Sequence, residues 1–169
     1  MFDPNFIGHE FCVINRDIKR DHTSHLNLAI NKFNQVRQKS VFEKIKSHLL
    51  KQPIGLIELE SILKNGIFTQ HHSSIQPVLI KDICGTLNRQ NDFDRFFNPL
   101  DDRFKDRWVS VALSKCKKIP LPPVELIKVN DCFYVKDGHH RISVARAFGE
   151  IAIDAEITVI NLVYPLLNQ

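Results

Sequence analysis

"FYVKDGHHRISVARAFG", Phe133 to Gly149, reads as a short apolar strand that runs through Asp-Gly-His-His-Arg into an alanine-containing helix closed by a second glycine. Gly138 lets the backbone turn sharply and approach a ligand closely, because no Cβ intervenes. The helix that follows leaves its first N–H groups without intrahelical partners, and the positive end of its dipole points at the corner. A phosphate placed there would accept those N–H groups. Arg141 adds a planar charged fork, and His139 or His140 can donate a hydrogen bond or move a proton near neutral pH. Asp137 can orient a histidine, hold magnesium or activate a hydroxyl. The plainer alternative is that Asp137 caps the helix and the histidines are first-turn surface residues. Anion binding at the corner loses its footing if the Arg141 guanidinium lies in an internal ion pair and no cavity opens beside Gly138.

Working outward, "PPVELIKV" and "CFYVKD" are apolar runs separated by Asn130-Asp131, a turn dipeptide, which predicts a β-hairpin. "IDAEITVI", Ile153 to Ile160, alternates and is β-branched, so it predicts a final strand. Upstream, Asp101 or Asp102 can cap a helix running to about Cys116, with Trp108 on its packing face. "PVLIKDICG", Pro77 to Gly85, predicts one strand. Residues 68–76, which include His71 and His72, read as a polar loop. Apolar spacings of three and four from about Ser24 to Lys51 predict a long amphipathic helix or two abutting ones, and "LIELESILKN" a shorter one. The residues before about 22 read as an irregular lead-in. The order predicts an α+β fold, with a helical extension over residues 1–75 and a domain of small mixed sheet and packed helices over 76–169.

The 169 residues carry 43% hydrophobic and 25% charged residues, a composition that supports a globular core. The net charge of +4 is mild, reads as spread along the chain, and does not by itself predict nucleic-acid binding. Four cysteines without a CxxC pair argue against a zinc ribbon or a disulfide scaffold, and read as reduced thiols in a cytoplasmic protein. No apolar run reaches the roughly 20 residues of a membrane span, and no secretory signal is visible.

The segment from about Gln76 to Ile160 resembles the ParB/sulfiredoxin superfamily, whose members place Gly-x-x-Arg between a strand pair and a helix. Gly138-His139-His140-Arg141 occupies that position. The resemblance implies a nucleotide phosphate at the corner, with ATP or CTP as ligand and Mg2+ as its companion. Sulfiredoxins carry a cysteine where this chain has His139, so sulfinic-acid reduction by that route is not expected. Partition proteins have Glu-Arg-Arg there and add a helix-turn-helix DNA reader. Only about nine residues follow the last strand here, so that reader is not expected either.

By the same resemblance, further contacts would come from "GTLNRQNDFDR". Arg89 and Arg95 would neutralise phosphate charge, and Asp92 or Asp94 would supply a base or a magnesium ligand. The alternative is a solvated loop anchored by Phe93 and Phe96. Ser143 would satisfy local backbone groups or touch phosphate. The leading expectation is an NTP-dependent phosphotransferase or phosphohydrolase. Its rival is a non-catalytic or nuclease-like module of the ParB family that binds DNA or acts as an adaptor, in which the long helix offers a homodimer or partner surface.

Overall fold

The computed structural model describes residues 4–63 and 67–163, with side chains described for 21–63, 69–71 and 74–161. Helix α1, Pro4–Leu50, is a single helix of 47 residues. It therefore replaces both the expected irregular lead-in and the possibility of two abutting helices. Pro4 suits a first helical turn, where its missing N–H is no loss. Further along, Ala29, Phe33, Val36 and Ser40 are buried at spacings of four, three and four.

The remaining elements are β1 (Ile57–Glu58), α2 (Leu59–Leu63), β2 (Ile67–Leu79), β3 (Ile83–Thr86), α3 (Lys105–Cys116), β4 (Val124–Val129), β5 (Cys132–Asp137), α4 (His139–Ala147) and β6 (Ala152–Val163). The fold is α+β, as expected, with one mixed six-stranded sheet in the order β1-β3-β5-β4-β6-β2. β4 and β5 form the expected hairpin, and Asn130 takes the positive φ of 53° that its turn demands.

Two strand readings change. The polar stretch at 68–76 is no loop: it belongs to β2, which pairs antiparallel with β6 along its length and has an irregularity between His72 and Ile75. As an edge strand it exposes Thr69, Gln70, His71 and Gln76 to solvent, so it lacks the apolar alternation of a half-buried strand. Pro77 is tolerated because the strand is at an edge. Pro77 to Gly85 is two strands, interrupted by a 3-10 turn at Ile80–Asp82. Residues 57–58 and 67–75, from the expected extension, thus occupy both edges of the sheet.

Alternation along β4 distributes the core. Val124 and Leu126 pack with Val135, Ile142, Ala145, Ala155 and Ile157 on one side. Ile127 and Val129 join Tyr134, Ile160 and Leu59 of α2 on the other. Outside α4, α1 and α3 close a further cluster in which Ala29, Phe33 and Val36 meet Trp108, Ala112 and Val144. Trp108 has the packing role expected of it: the Phe33 ring meets it edge-on at 5.6 Å, and its Nε1 donates to Ser143 Oγ at 2.8 Å. Cys84 and Cys132, on the neighbouring strands β3 and β5, are disulfide-linked across a Cα–Cα distance of 5.7 Å, contrary to the expected thiols. No described helix is long and apolar enough to cross a membrane.

Candidate functional site: the start of helix α4

Gly138 stands at the N-cap of α4 with φ +102°, and no side chain caps the helix. Asp137 is therefore not the cap. A Cβ at Gly138 would come within 2.5 Å of Val124 Cγ1, so both backbone angle and packing select glycine. Beside it opens a cleft of about 450 Å3, lined by Arg89, Arg107, Val111, Leu121, Pro122 and residues 137–141.

Both histidines face this cleft, and both are held neutral. His139 is 4% exposed; burial, followed by the nearby Arg89 charge, pushes its pKa down to about 4. Its Nε2 hydrogen-bonds with Thr86 Oγ1 at 2.7 Å, and its ring stacks on Phe93 at 5.7 Å. His140 is lowered to about 4 by burial and then by the charges of Arg107 and Arg89. Its ring meets Phe93 edge-on at 5.3 Å, and its buried Nδ1 has no hydrogen-bond partner among the described residues. At neutral pH these imidazoles can donate an N–H, but they are weak proton acceptors.

Arg141 does not stand free. Its Nη1 donates to the carbonyls of Pro122 and Pro123, both at 2.6 Å, and its Nη2 pairs with Asp137 Oδ2 at 2.5 Å. A cavity thus lies beside Gly138, while the Arg141 guanidinium is held in an internal ion pair and cannot be counted on to meet a phosphate. Arg141 pins the proline-rich segment to the corner, and Asp137, 67% exposed, balances its charge.

The loop after β3 separates its charged residues. Arg89 reaches the cleft while pairing with Asp92 at 3.1 Å; Asp92 also takes Arg103 at 3.0 Å. Asp94 is buried and accepts from Phe96 N, Asn98 N and Asn98 Nδ2 at 2.8–2.9 Å, which makes it the brace of the loop. Burial raises its pKa above the usual carboxylate value. Arg95 points to Glu43 of α1 at 3.0 Å. Ser143 is buried against Trp108. The aromatic anchors are Phe93 and Phe97, both buried, whereas Phe96 is 38% exposed.

The corner thus gathers Asp137, Gly138, His139, His140, Arg141 and Arg89, but Asp94, Arg95 and Ser143 serve elsewhere. Two contributors were not singled out in the sequence. Thr86, fully buried at the end of β3, fixes His139 and accepts the Arg89 amide at 3.2 Å. Arg107 lines the cleft and has no carboxylate partner among the described residues. Its signal was its position on α3: it shares a face with Val111, one turn on, next to a tryptophan that locks α3 to α4.

No family model matches the chain, and no curated protein matches it. Among solved structures, the sulfiredoxin from Arabidopsis thaliana is similar, at 19% identity over 50% of this chain and 84% of that one, with a TM-score of 0.39. No functional residue carries over at that level.

Proposed function

We propose that the chain binds a nucleoside triphosphate, ATP or CTP, by its phosphates at the start of α4, as an NTP-dependent phosphotransferase or phosphohydrolase. One observation carries this reading: a cleft of about 450 Å3 opens on a helix start that no side chain caps, with Arg89 and Arg107 beside it. Pockets that hold small ligands span roughly 300–1,000 Å3, so the size fits. The first N–H groups of α4 meet the phosphate oxygens, and Gly138 lets them approach. Arg107 supplies charge that no carboxylate offsets among the described residues, and Arg89 supplies a share, because Asp92 already draws on it. The neutral imidazole of His140, whose Nδ1 has no hydrogen-bond partner among the described residues, adds an N–H donor. The resemblance of Gly138-His139-His140-Arg141 to the superfamily's corner points the same way.

Asp137 is the one carboxylate lining the cleft among the described residues, which makes it the acid-base candidate ahead of Asp92 and Asp94. Magnesium, which typically arrives with several waters and uses one or two carboxylates, fits Asp137 and would neutralise phosphate charge. The chain's own residues orient the phosphates and stabilise charge as it develops.

Thermal unfolding with ATP, CTP or ADP, with and without magnesium, tests the reading. A nucleotide at about 100 times its Kd raises Tm by about 5–10 °C, and Arg107→Ala removes most of the shift. No shift with any nucleotide, or one indifferent to Arg107→Ala, overturns binding at this corner. Release of inorganic phosphate, lost in Asp137→Asn, separates turnover from binding.

A further inference from the structure

The net charge is not spread along the chain. Residues 31–50 hold five Lys or Arg (Lys32, Arg37, Lys39, Lys44 and Lys46) against a single acid, Glu43. That net of +4 equals the excess of the entire sequence, so the other residues balance. Lys32, Gln35, Lys39, Phe42 and Lys46 follow one another at spacings of three and four, a stripe on α1 adjoining the buried one. From Lys32 to Lys46 the stripe runs roughly 21 Å along the helix axis.

The fold adds to this face. A second cavity, of about 420 Å3, lies between α1, the C-terminal end of α4 and the loop at 96–98, with Lys32, Lys39, Phe42, Phe96 and Arg146 in its lining. Glu43, its one acid, is paired with Arg95. Lys39 and Arg146 have no carboxylate partner among the described residues. Lys32 donates to the Ala147 carbonyl at 3.3 Å, which accounts for its own placement but not for the other two. Phe42 is 67% exposed and has no ring partner among the described residues. The guanidinium groups of Arg95 and Arg146 lie 4.9 and 5.5 Å from the Phe96 ring.

We infer that this face binds single-stranded nucleic acid, with phosphates on Lys32, Lys39, Lys46 and Arg146 and an unstacked base on Phe42. A row of cations that tracks a backbone beside an open aromatic ring is how such strands are held without sequence preference. A duplex keeps its bases stacked and would leave Phe42 without a role. An acidic peptide would use the cations and likewise leave the ring idle. The site is distinct from the nucleotide corner, at the opposite end of α4, and does not rest on it.

Fluorescence anisotropy with a labelled oligothymidylate of about 20 nucleotides, longer than one site of this kind, tests the proposal. Binding should weaken steeply with salt, and Lys39→Ala with Arg146→Ala should flatten the log–log slope by about 1.4, two single-strand phosphate contacts. Phe42→Ala should weaken binding by about fivefold or more at fixed salt with the slope unchanged, and Phe42→Trp should restore it. Lys39→Ala alone, on an exposed residue, repeats the slope test should the double variant misfold. The proposal is overturned by no binding at low salt, by equal binding of polyglutamate, or by a duplex that binds as well and ignores Phe42. A dimer in sedimentation that Phe42→Ala splits, with oligothymidylate binding intact, also overturns it and assigns the ring to a second copy.

Discussion

The two ends of α4 meet their surroundings by different means. At the start, Gly138 and the uncapped backbone N–H groups of α4 meet the cleft together with Arg89 and Arg107, and the neighbouring imidazoles are stripped of charge by burial. At the end, the last carbonyls attract Lys32, and long flexible side chains supply the positive field. Fixed N–H dipoles backed by two arginines at one end, and a row of cations without such dipoles at the other, imply different selectivity. Fixed N–H groups favour one small, well-placed oxygen cluster, whereas mobile cations suit a repeating chain of charges.

Because Trp108 is bound to Ser143 in the middle of α4, Trp108→Ala should harm both ends together. Loss of a fully buried Trp should cost about 3–5 kcal/mol, read as a lower midpoint in denaturant. Should the oligothymidylate site survive that change while the nucleotide site fails, the two ends are less coupled than α4 suggests. Gly138→Ala should separate them: strain at positive φ, of order 1–3 kcal/mol, falls on the start alone and should abolish the nucleotide shift. The same variant should leave the far end intact.

Acidity should separate them as well. His139 and His140 have folded pKa values near 4, below the ordinary value of 6.5, so the unfolded chain binds more protons between those limits. Stability is therefore fully present above about pH 6.5 and is lost as pH falls toward 4. Thermal scans across that range should show Tm dropping, and His139→Gln should flatten the drop. A Tm that holds level would show that neither imidazole is kept neutral.

Much of the C-terminal half was legible because its signals are local. Asn130-Asp131 marked the hairpin, Gly138 the corner, and Asp101, whose side chain accepts from Arg103 N, the approach to α3. The misreadings concern partners distant in sequence. β2 is a strand because β6 lies beside it, and its polar residues gave no periodicity to find. The Arg141 guanidinium was read as free because the Pro122 and Pro123 carbonyls that hold it come from 18–19 residues upstream. Asp92 and Asp94 look equivalent in "NDFD", yet one faces the arginines and the other is sealed under its loop.

A further prediction concerns the Cys84–Cys132 link. Opening a loop with a sequence separation of 48 should cost about 2–4 kcal/mol, and Cys84→Ser measures it. A reducing surrounding such as a glutathione pool would open that pair. The consequence reaches the corner, because β3 continues into Thr86 and Arg89 while its neighbour β5 continues into Asp137 and Gly138. One covalent link thus ties together the two strands that run into the corner. A reductant would convert that disulfide to two thiols and untie the strands, and an oxidant would tie them again, without touching a residue that lines the cleft.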